Sequence, residues 1–292
     1  MDYGLCLPNY PAGASAEGIA AGADIADRLG WSTVWTTDHV LIPRDDAADY
    51  GRIYEAIVTL AWVGAAHPGL RLATSVIVVP QRNAVLLAKE LATLDSLSGG
   101  RVTAGVGIGW NEVEFANLGA ADRFHVRGAY LDETIRLWRH LWSGSGEPFR
   151  GRFHVIEDFA FEPLPVQAPL PIVIGGRAEP ALRRAGAVAD GYHSSMAGPA
   201  QYAARIPIIA AAAVAAGRPM PSLSARVRVE FDAAGGSGYA LRGSAAAMAE
   251  DVRAFAEIGV THLALHFEVT DPAELVARVE RFEREVVPLA EA

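Results

Sequence analysis

Sulfur is nearly missing from this chain: Cys6, in the apolar run YGLCLP, is the one cysteine among 292 residues. A lone thiol forms no internal disulfide, which fits a reducing compartment, and a small buried hydrophobe is a plainer reading than a nucleophile. Lysine is as scarce. Lys89 stands alone among 25 basic residues, and the acidic surplus leaves a net charge of −9. That balance excludes general nucleic-acid binding, which needs a cationic face. Long hydrophobic runs are also absent. IPIIAAAAVAAG is too short and too alanine-rich to span a bilayer, and MDYGLCLPNY lacks the basic and apolar regions of a secretory leader. A cytoplasmic protein with no membrane partner is expected. No H-x-H, H-E-x-x-H or cysteine cluster occurs, so no metal site is expected either.

What is present is an alternation. DYGLCLP, STVWTTD, LRLATSVIVVP, RVTAGVG, PIVIGG, DGYHSS, SARVRVEF and THLALHF each precede a segment rich in Ala, Leu, Glu and Arg. The predicted helices are Ser15–Leu29, Tyr54–Ala66, Asn83–Leu97, Gly128–Trp142, Ala178–Ala187, Pro199–Ala216, Ser244–Ile258 and Pro272–Val287. The strand runs are apolar on both faces, as a covered parallel sheet requires. Gly30, Gly99 and Gly259 stand where a left-handed residue ends a helix, and Asp271-Pro272 reads as a cap followed by proline at the first helical position. Eight units in one chain favour an α/β fold closed as a (β/α)₈ TIM barrel, a single domain over residues 1–292. Longer loops are expected after strands 2, 4 and 7. EPFRGRFHVIEDFAFEPLP reads as a small hairpin inserted before strand 5.

A barrel of this kind builds its site from the C-terminal ends of its strands. His39, Pro80, Gly107 to Trp110, Gly175, Gly176, His193 and the residues after Phe231 are therefore expected to face one pocket. In GVGIGW, Gly105, Gly107 and Gly109 remove side chains at alternate positions. They serve either a tight turn or the close approach of a ring or phosphate. The spacing is not that of the dinucleotide fingerprint. In IVIGGR, two glycines precede a helix start, which suits an anion, and Arg177 adds charge; an ordinary turn is the plain alternative. Thr74 and Ser75 need partners inside an aliphatic strand, and bonds back to the backbone are the bland account. TTDHV offers an acid and an imidazole together, as a metal-hydrolase fragment, a helix cap or a proton-transfer pair.

WTTDHVLIP, LDSLSGGRVTAGVGIGWNEVEF and PIVIGGRAEPALRRAGAVADGYHS stand in one order. Together they resemble the luciferase-like monooxygenase superfamily, in the branch that uses the deazaflavin coenzyme F420. The resemblance implies a ring held at the barrel mouth, with Asp38 and His39 beside it. It implies a bulge after strand 3 with a non-proline cis peptide between Ser75 and Val76, pressed on one ring face. Gly107 and Gly109 would line the ring and ribityl chain, and Gly175, Gly176 and Arg177 would hold the phosphate. Trp110 takes the place where some sugar-phosphate dehydrogenases of the family carry a proton-donating glutamate, with Asn111 and Glu112 next. That departure counts against such a donor and such a substrate; the indole would stack on coenzyme or roof an apolar pocket.

The implied function is hydride transfer between F420 and a small organic substrate, with His39 as the catalytic residue and Asp38 either orienting it or bonding the ring edge. An FMN monooxygenase fed by a separate reductase, and a cofactor-binding barrel without turnover, are the alternatives. Family members usually form dimers, so a homodimer is expected.

Overall fold

The apolar runs become strands whose side chains are buried both toward the barrel axis and toward the helices. In the computed structural model, which describes residues 1–233 and 238–292, these are β1 (Asp2–Cys6), β2 (Thr33–Thr36), β3 (Arg71–Thr74), β4 (Ile77–Val78), β5 (Val102–Gly107), β6 (Phe149–Arg150), β7 (Val155–Ile156), β8 (Ile172–Gly175), β9 (Gly191–Ser195), β10 (Ser222–Phe231), β11 (Ala240–Gly243) and β12 (His262–His266). Strands β1, β2, β3, β5, β8, β9, β10 and β12 pair in that order, all parallel, and β12 returns to β1 to close the barrel. The axis is filled by Cys6, Trp35, Ala73, Val173 and Ala264, so it is a packed interior and not a pore. Burial pushes the Cys6 thiol up, in keeping with an inert apolar residue.

Helix punctuation follows local chemistry. Asn83 Oδ1 accepts from the amides of Val85 and Leu86 to open the helix Ala84–Ser98, which Gly99 ends at φ 70°. Ser15 and Gly30 do the same for Ala16–Leu29, and Asp271 accepts from the Ala273 amide ahead of Pro272–Glu285. The segment expected as one helix over Pro199–Ala216 is two, Pro199–Ala203 and Ile206–Ala215. Pro207 has no N–H with which to continue the first helix.

The additions sit at the mouth or the flank. Residues 37–55 and 108–126 form the loops after β2 and β5, and β6 and β7 make the antiparallel hairpin before β8. The expected loop over Asp232–Gly243 is partly strand: β11 runs parallel to Arg228–Phe231, while residues 234–237 of that stretch lie outside the described residues. Among the described residues no helix is long and apolar enough to cross a membrane.

Candidate functional site at the barrel mouth

β3 stops at Thr74 and the chain bulges before β4 resumes pairing with β5; the Ser75–Val76 peptide bond within the bulge is cis. Val76, left partly exposed, is seated by glycines on the next two barrel strands. A Cβ on Gly107 would lie 2.7 Å from Val76 Cγ2, and one on Gly175 would lie 2.8 Å from Val76 Cγ1. Neither position tolerates a side chain while Val76 stays where it is. Gly109 differs, because its φ of 72° asks for glycine and its Cβ would also meet Val78 Cγ1 at 2.6 Å. The two readings of GVGIG thus divide between residues. Gly109 is a turn, and Gly107 makes room for a close approach, although the group approaching is a valine of the same chain.

The hydroxyls beside the bulge divide similarly. Thr74 Oγ1 donates to the Gly105 carbonyl at 2.6 Å, the bland outcome. Ser75 Oγ instead meets His193 Nε2 at 2.9 Å, and His193 Nδ1 meets Ser224 Oγ at 2.8 Å. His193 was expected at the pocket. It lies in the barrel interior, stacked on Trp35 with ring centroids 4.3 Å apart. Burial, then His262 and Arg226, push its pKa down to about 3. Ser195, two residues on and therefore on the same face of β9, lies nearer the strand's C-terminal end and lines the cavity, whereas His193 sits deeper in the barrel.

Asp38 and His39 are neighbours with different duties. Asp38 accepts from the Val78 amide at 2.8 Å and from Arg82 at 2.6 and 3.3 Å. Arg82 continues to Glu55 at 2.8 Å. Asp38 therefore ties the bulge down, and of the two roles expected for it, orienting the histidine is not borne out. That orientation falls to Glu114, whose Oε2 lies 2.8 Å from His39 Nδ1. Glu114 is fully buried and also accepts from Gln81 Nε2 at 2.9 Å and from the Val40 and Leu41 amides at 2.7 and 3.1 Å. Burial alone would raise its pKa; the bonds from His39, Val40 and Gln81 outweigh it and bring the carboxyl to about 2. An ionised carboxylate on Nδ1 makes that nitrogen the proton-bearing one and leaves Nε2 for exchange.

Glu114 was missed for a physical reason. Asn111 Oδ1 accepts from the Glu114 amide at 3.1 Å, opening the helix Glu112–Asn117. N-x-x-E at a helix start reads as a capping box, whereas this carboxylate turns away to His39. Glu112 is exposed and meets His125 at 3.5 Å, and Asn111 Nδ2 donates to Asp46 at 2.6 Å, so neither reaches the imidazole. Trp110 is 54% exposed. Its ring stands 5.8 Å from His39 and 6.2 Å from Tyr50, and Tyr50 lies 4.5 Å from His39, between centroids.

Beside this cluster opens a cavity of about 490 Å³ whose walls include Tyr10, Thr37, Tyr50, Arg226 and His266. His266 meets Tyr10 Oη at 3.4 Å, and burial with Arg226 and Arg228 pushes its pKa down to about 3. A second cavity of about 690 Å³ shares Met196 and Tyr239 with the first and is bordered by Arg177. Arg177 follows Gly175 and Gly176 and precedes the helix Glu179–Val188, which has no side-chain cap. Pro80 is buried in a turn, where its carbonyl accepts from Arg123 at 3.2 Å; neither it nor His39, Gly107, Gly109, Trp110, Gly175 or Gly176 lines either cavity, so the two cavities are not the single pocket expected of these strand ends. Among the described residues no three His, Cys, Asp or Glu side chains are grouped to hold a metal ion.

The sequence pattern of the luciferase-like monooxygenases matches residues 1–259. The chain belongs to the luciferase-like monooxygenase family. Within that family's reach, an F420-dependent glucose-6-phosphate dehydrogenase of Kineococcus radiotolerans is 34% identical over 185 residues, 61% of this chain and 54% of that protein. The chain spans between 50 and 65% of the length of the curated relatives it matches. An F420-dependent secondary alcohol dehydrogenase, solved with an F420–acetone adduct, superposes with a TM-score of 0.83 at 18% identity, covering 99% of this chain and 98% of the other. The oxygenating constituent of 3,6-diketocamphane monooxygenase from Pseudomonas putida, solved with FMN, superposes at 0.80 with 17% identity over 99% and 98% of the two chains. At these identities the structural likeness is one of fold.

Proposed function

We propose that the chain is an oxidoreductase that moves a hydride between coenzyme F420 and a small organic substrate, with His39 handling the accompanying proton. The observation that carries this reading is the His39–Glu114 pair at the barrel mouth, next to the Val76 bulge. The sequence likeness to an F420-dependent dehydrogenase supports the choice of coenzyme.

The residues present fit such a coenzyme. Val76, held up by Gly107 and Gly175, offers a flat apolar shelf for a ring, and Trp110 and Tyr50 offer aromatic walls. Gly109 would border the ribityl side. Arg177, exposed, and the uncapped helix start after Gly175 and Gly176 would hold a phosphate. A deazaflavin, when bound, supplies a hydride at carbon and activates oxygen poorly. Asp38 and Arg82 fix the height of the shelf. Glu114 fixes the imidazole through Nδ1, so that Nε2 can give a proton to the substrate atom that gains the hydride, or take one in the reverse direction. Trp110 and Tyr50 keep water from His39.

Reconstitution with each cofactor tests the assignment. F420 binding is expected; tight FMN retention without F420 binding would overturn it in favour of an oxygen-using enzyme fed by a partner reductase, a reading that draws on the FMN-bound neighbour of the same fold. His39→Ala should bind F420 within about threefold of wild type, while single-turnover oxidation of the reduced coenzyme by small carbonyl acceptors slows about 10²–10⁴-fold. Unchanged turnover removes His39 from the mechanism, and a wild-type chain that binds F420 but never turns over leaves a binding barrel. A homodimer is part of the same reading, checked by sedimentation.

A further inference from the structure

The walls of the 490 Å³ cavity include one cation, Arg226, that forms no ion pair with a carboxylate among the described residues. Arg226, on β10, donates from Nη1 to Thr37 Oγ1 at 2.9 Å and to the Ser75 carbonyl at 3.0 Å, and from Nη2 to Tyr10 Oη. All three acceptors are neutral. A guanidinium carries five N–H groups, so the Nε–H and the second Nη2–H have no protein acceptor among the described residues. Arg228, two residues on, is different, since Glu230 lies at 3.4 Å and Glu268 at 3.8 Å. Asp49, another carboxylate on the wall, is exposed and is not a partner of Arg226.

A guanidinium withdrawn from water without a counter-ion is costly, and neutral acceptors compensate its charge only in part. Holding the Ser75 carbonyl and Thr37 needs hydrogen-bond donors, not a permanent charge, so the positional duty does not account for arginine here. The rest of the wall narrows the guest. Tyr10, Tyr50, Tyr239, Phe267, Met196 and Val269 present aromatic and aliphatic surface, and His266 stays neutral at pH 7.

We propose that Arg226 is a specificity-determining residue and that the substrate is a small carboxylic acid with an apolar or aromatic body, its carboxylate seated on the open N–H groups of Arg226. The inference rests on the proposed function for its chemistry but not for its geometry. A planar carboxylate matches the fork of a guanidinium with two parallel bonds. Because Arg226 also holds the Ser75 carbonyl, the acid group anchors next to the bulge, and the reacting carbon lies toward the Tyr50 wall of the cavity, whose ring stands 4.5 Å from that of His39.

Calorimetric titration with 3-phenylpropionate and its neutral amide, 3-phenylpropanamide, tests this on the full chain, first without cofactor and then with bound F420. The acid should bind at least about tenfold more tightly than the amide. That preference should vanish in Arg226→Met and survive in reduced form in Arg226→Lys, which keeps the charge and loses the fork. Equal binding of acid and amide by wild type, or a preference that persists in Arg226→Met, overturns the proposal. Tighter binding of phenyl phosphate than of the acid overturns the choice of carboxylate. If Arg226→Met does not fold, the wild-type comparison together with Arg226→Lys decides. A chain that prefers the acid yet binds FMN and not F420 overturns the coenzyme assignment while upholding this one.

Discussion

In the proposed reaction His39 and Glu114 carry the proton chemistry, and their bond makes a separable claim about each. Glu114→Gln keeps the shape and removes the charge that holds Nδ1 protonated. Turnover should fall about 10²-fold with F420 affinity nearly unchanged. A parallel loss of coenzyme binding would mean that Glu114 only supports the loop carrying Val40 and Leu41. The shelf makes its own prediction. Gly107→Ala places a methyl 2.7 Å from Val76 Cγ2, so Val76 must move and the shelf with it. Stability should drop by about 1–3 kcal/mol, and F420 affinity should fall more than it does for His39→Ala. Denaturant titration and coenzyme titration read the two effects.

At the scale of elements, the hairpin β6–β7 is too short to hold itself and is pinned from outside. Glu133, on the helix Arg127–Trp142, accepts from the amides of Arg152, Phe153 and His154 at 2.7, 2.7 and 2.8 Å. Burial opposes the charge on Glu133, but those three bonds hold its pKa below the usual carboxylate range. Glu133→Ala leaves three donors unpaired and should cost about 1–3 kcal/mol, with faster amide exchange at 152–154 and no change in coenzyme affinity. The hairpin itself was legible as two β-prone runs between turn signals. The glutamate that anchors it was not, because in sequence it is one acid among several on an amphipathic helix. The break at Pro207 was legible in principle, since proline in a helical run lacks the donor a continued helix needs.

For the molecule as a whole, acid sensitivity follows from groups buried in the barrel. His193 and His266 have folded pKa values near 3, far below an unfolded histidine near 6.5. Below about pH 6.5 the unfolded chain binds protons that the folded chain refuses, so stability falls as pH drops toward 3. Glu114, brought to about 2 from 4.5, acts in the same direction in a lower window. Its contribution is present above pH 4.5 and is lost as pH falls toward 2. Melting temperature should therefore decline from about pH 6.5 and steepen below 4.5, and the steeper limb should flatten in Glu114→Gln. Circular-dichroism melts across that range check it; a melting temperature level between pH 7 and 4 would place both histidines at ordinary values.

By itself the sequence determined the eight strand–helix units, the capping residues and the order of strand-end motifs, because each is written in residues a few positions apart. Periodicity, a side chain bonding an amide two or three residues on, and a glycine that permits a left-handed turn are all local physics. Only the tertiary structure decided which partners the chemistry uses. His39 meets Glu114 across 75 residues, and Arg226 meets the Ser75 carbonyl across 151. Barrel closure brings such pairs together, and the facing of each side chain depends on strand stagger and on where the bulge falls. A sequence window carries neither, so Asp38 looked like the partner of His39 until the fold showed it holding the bulge instead.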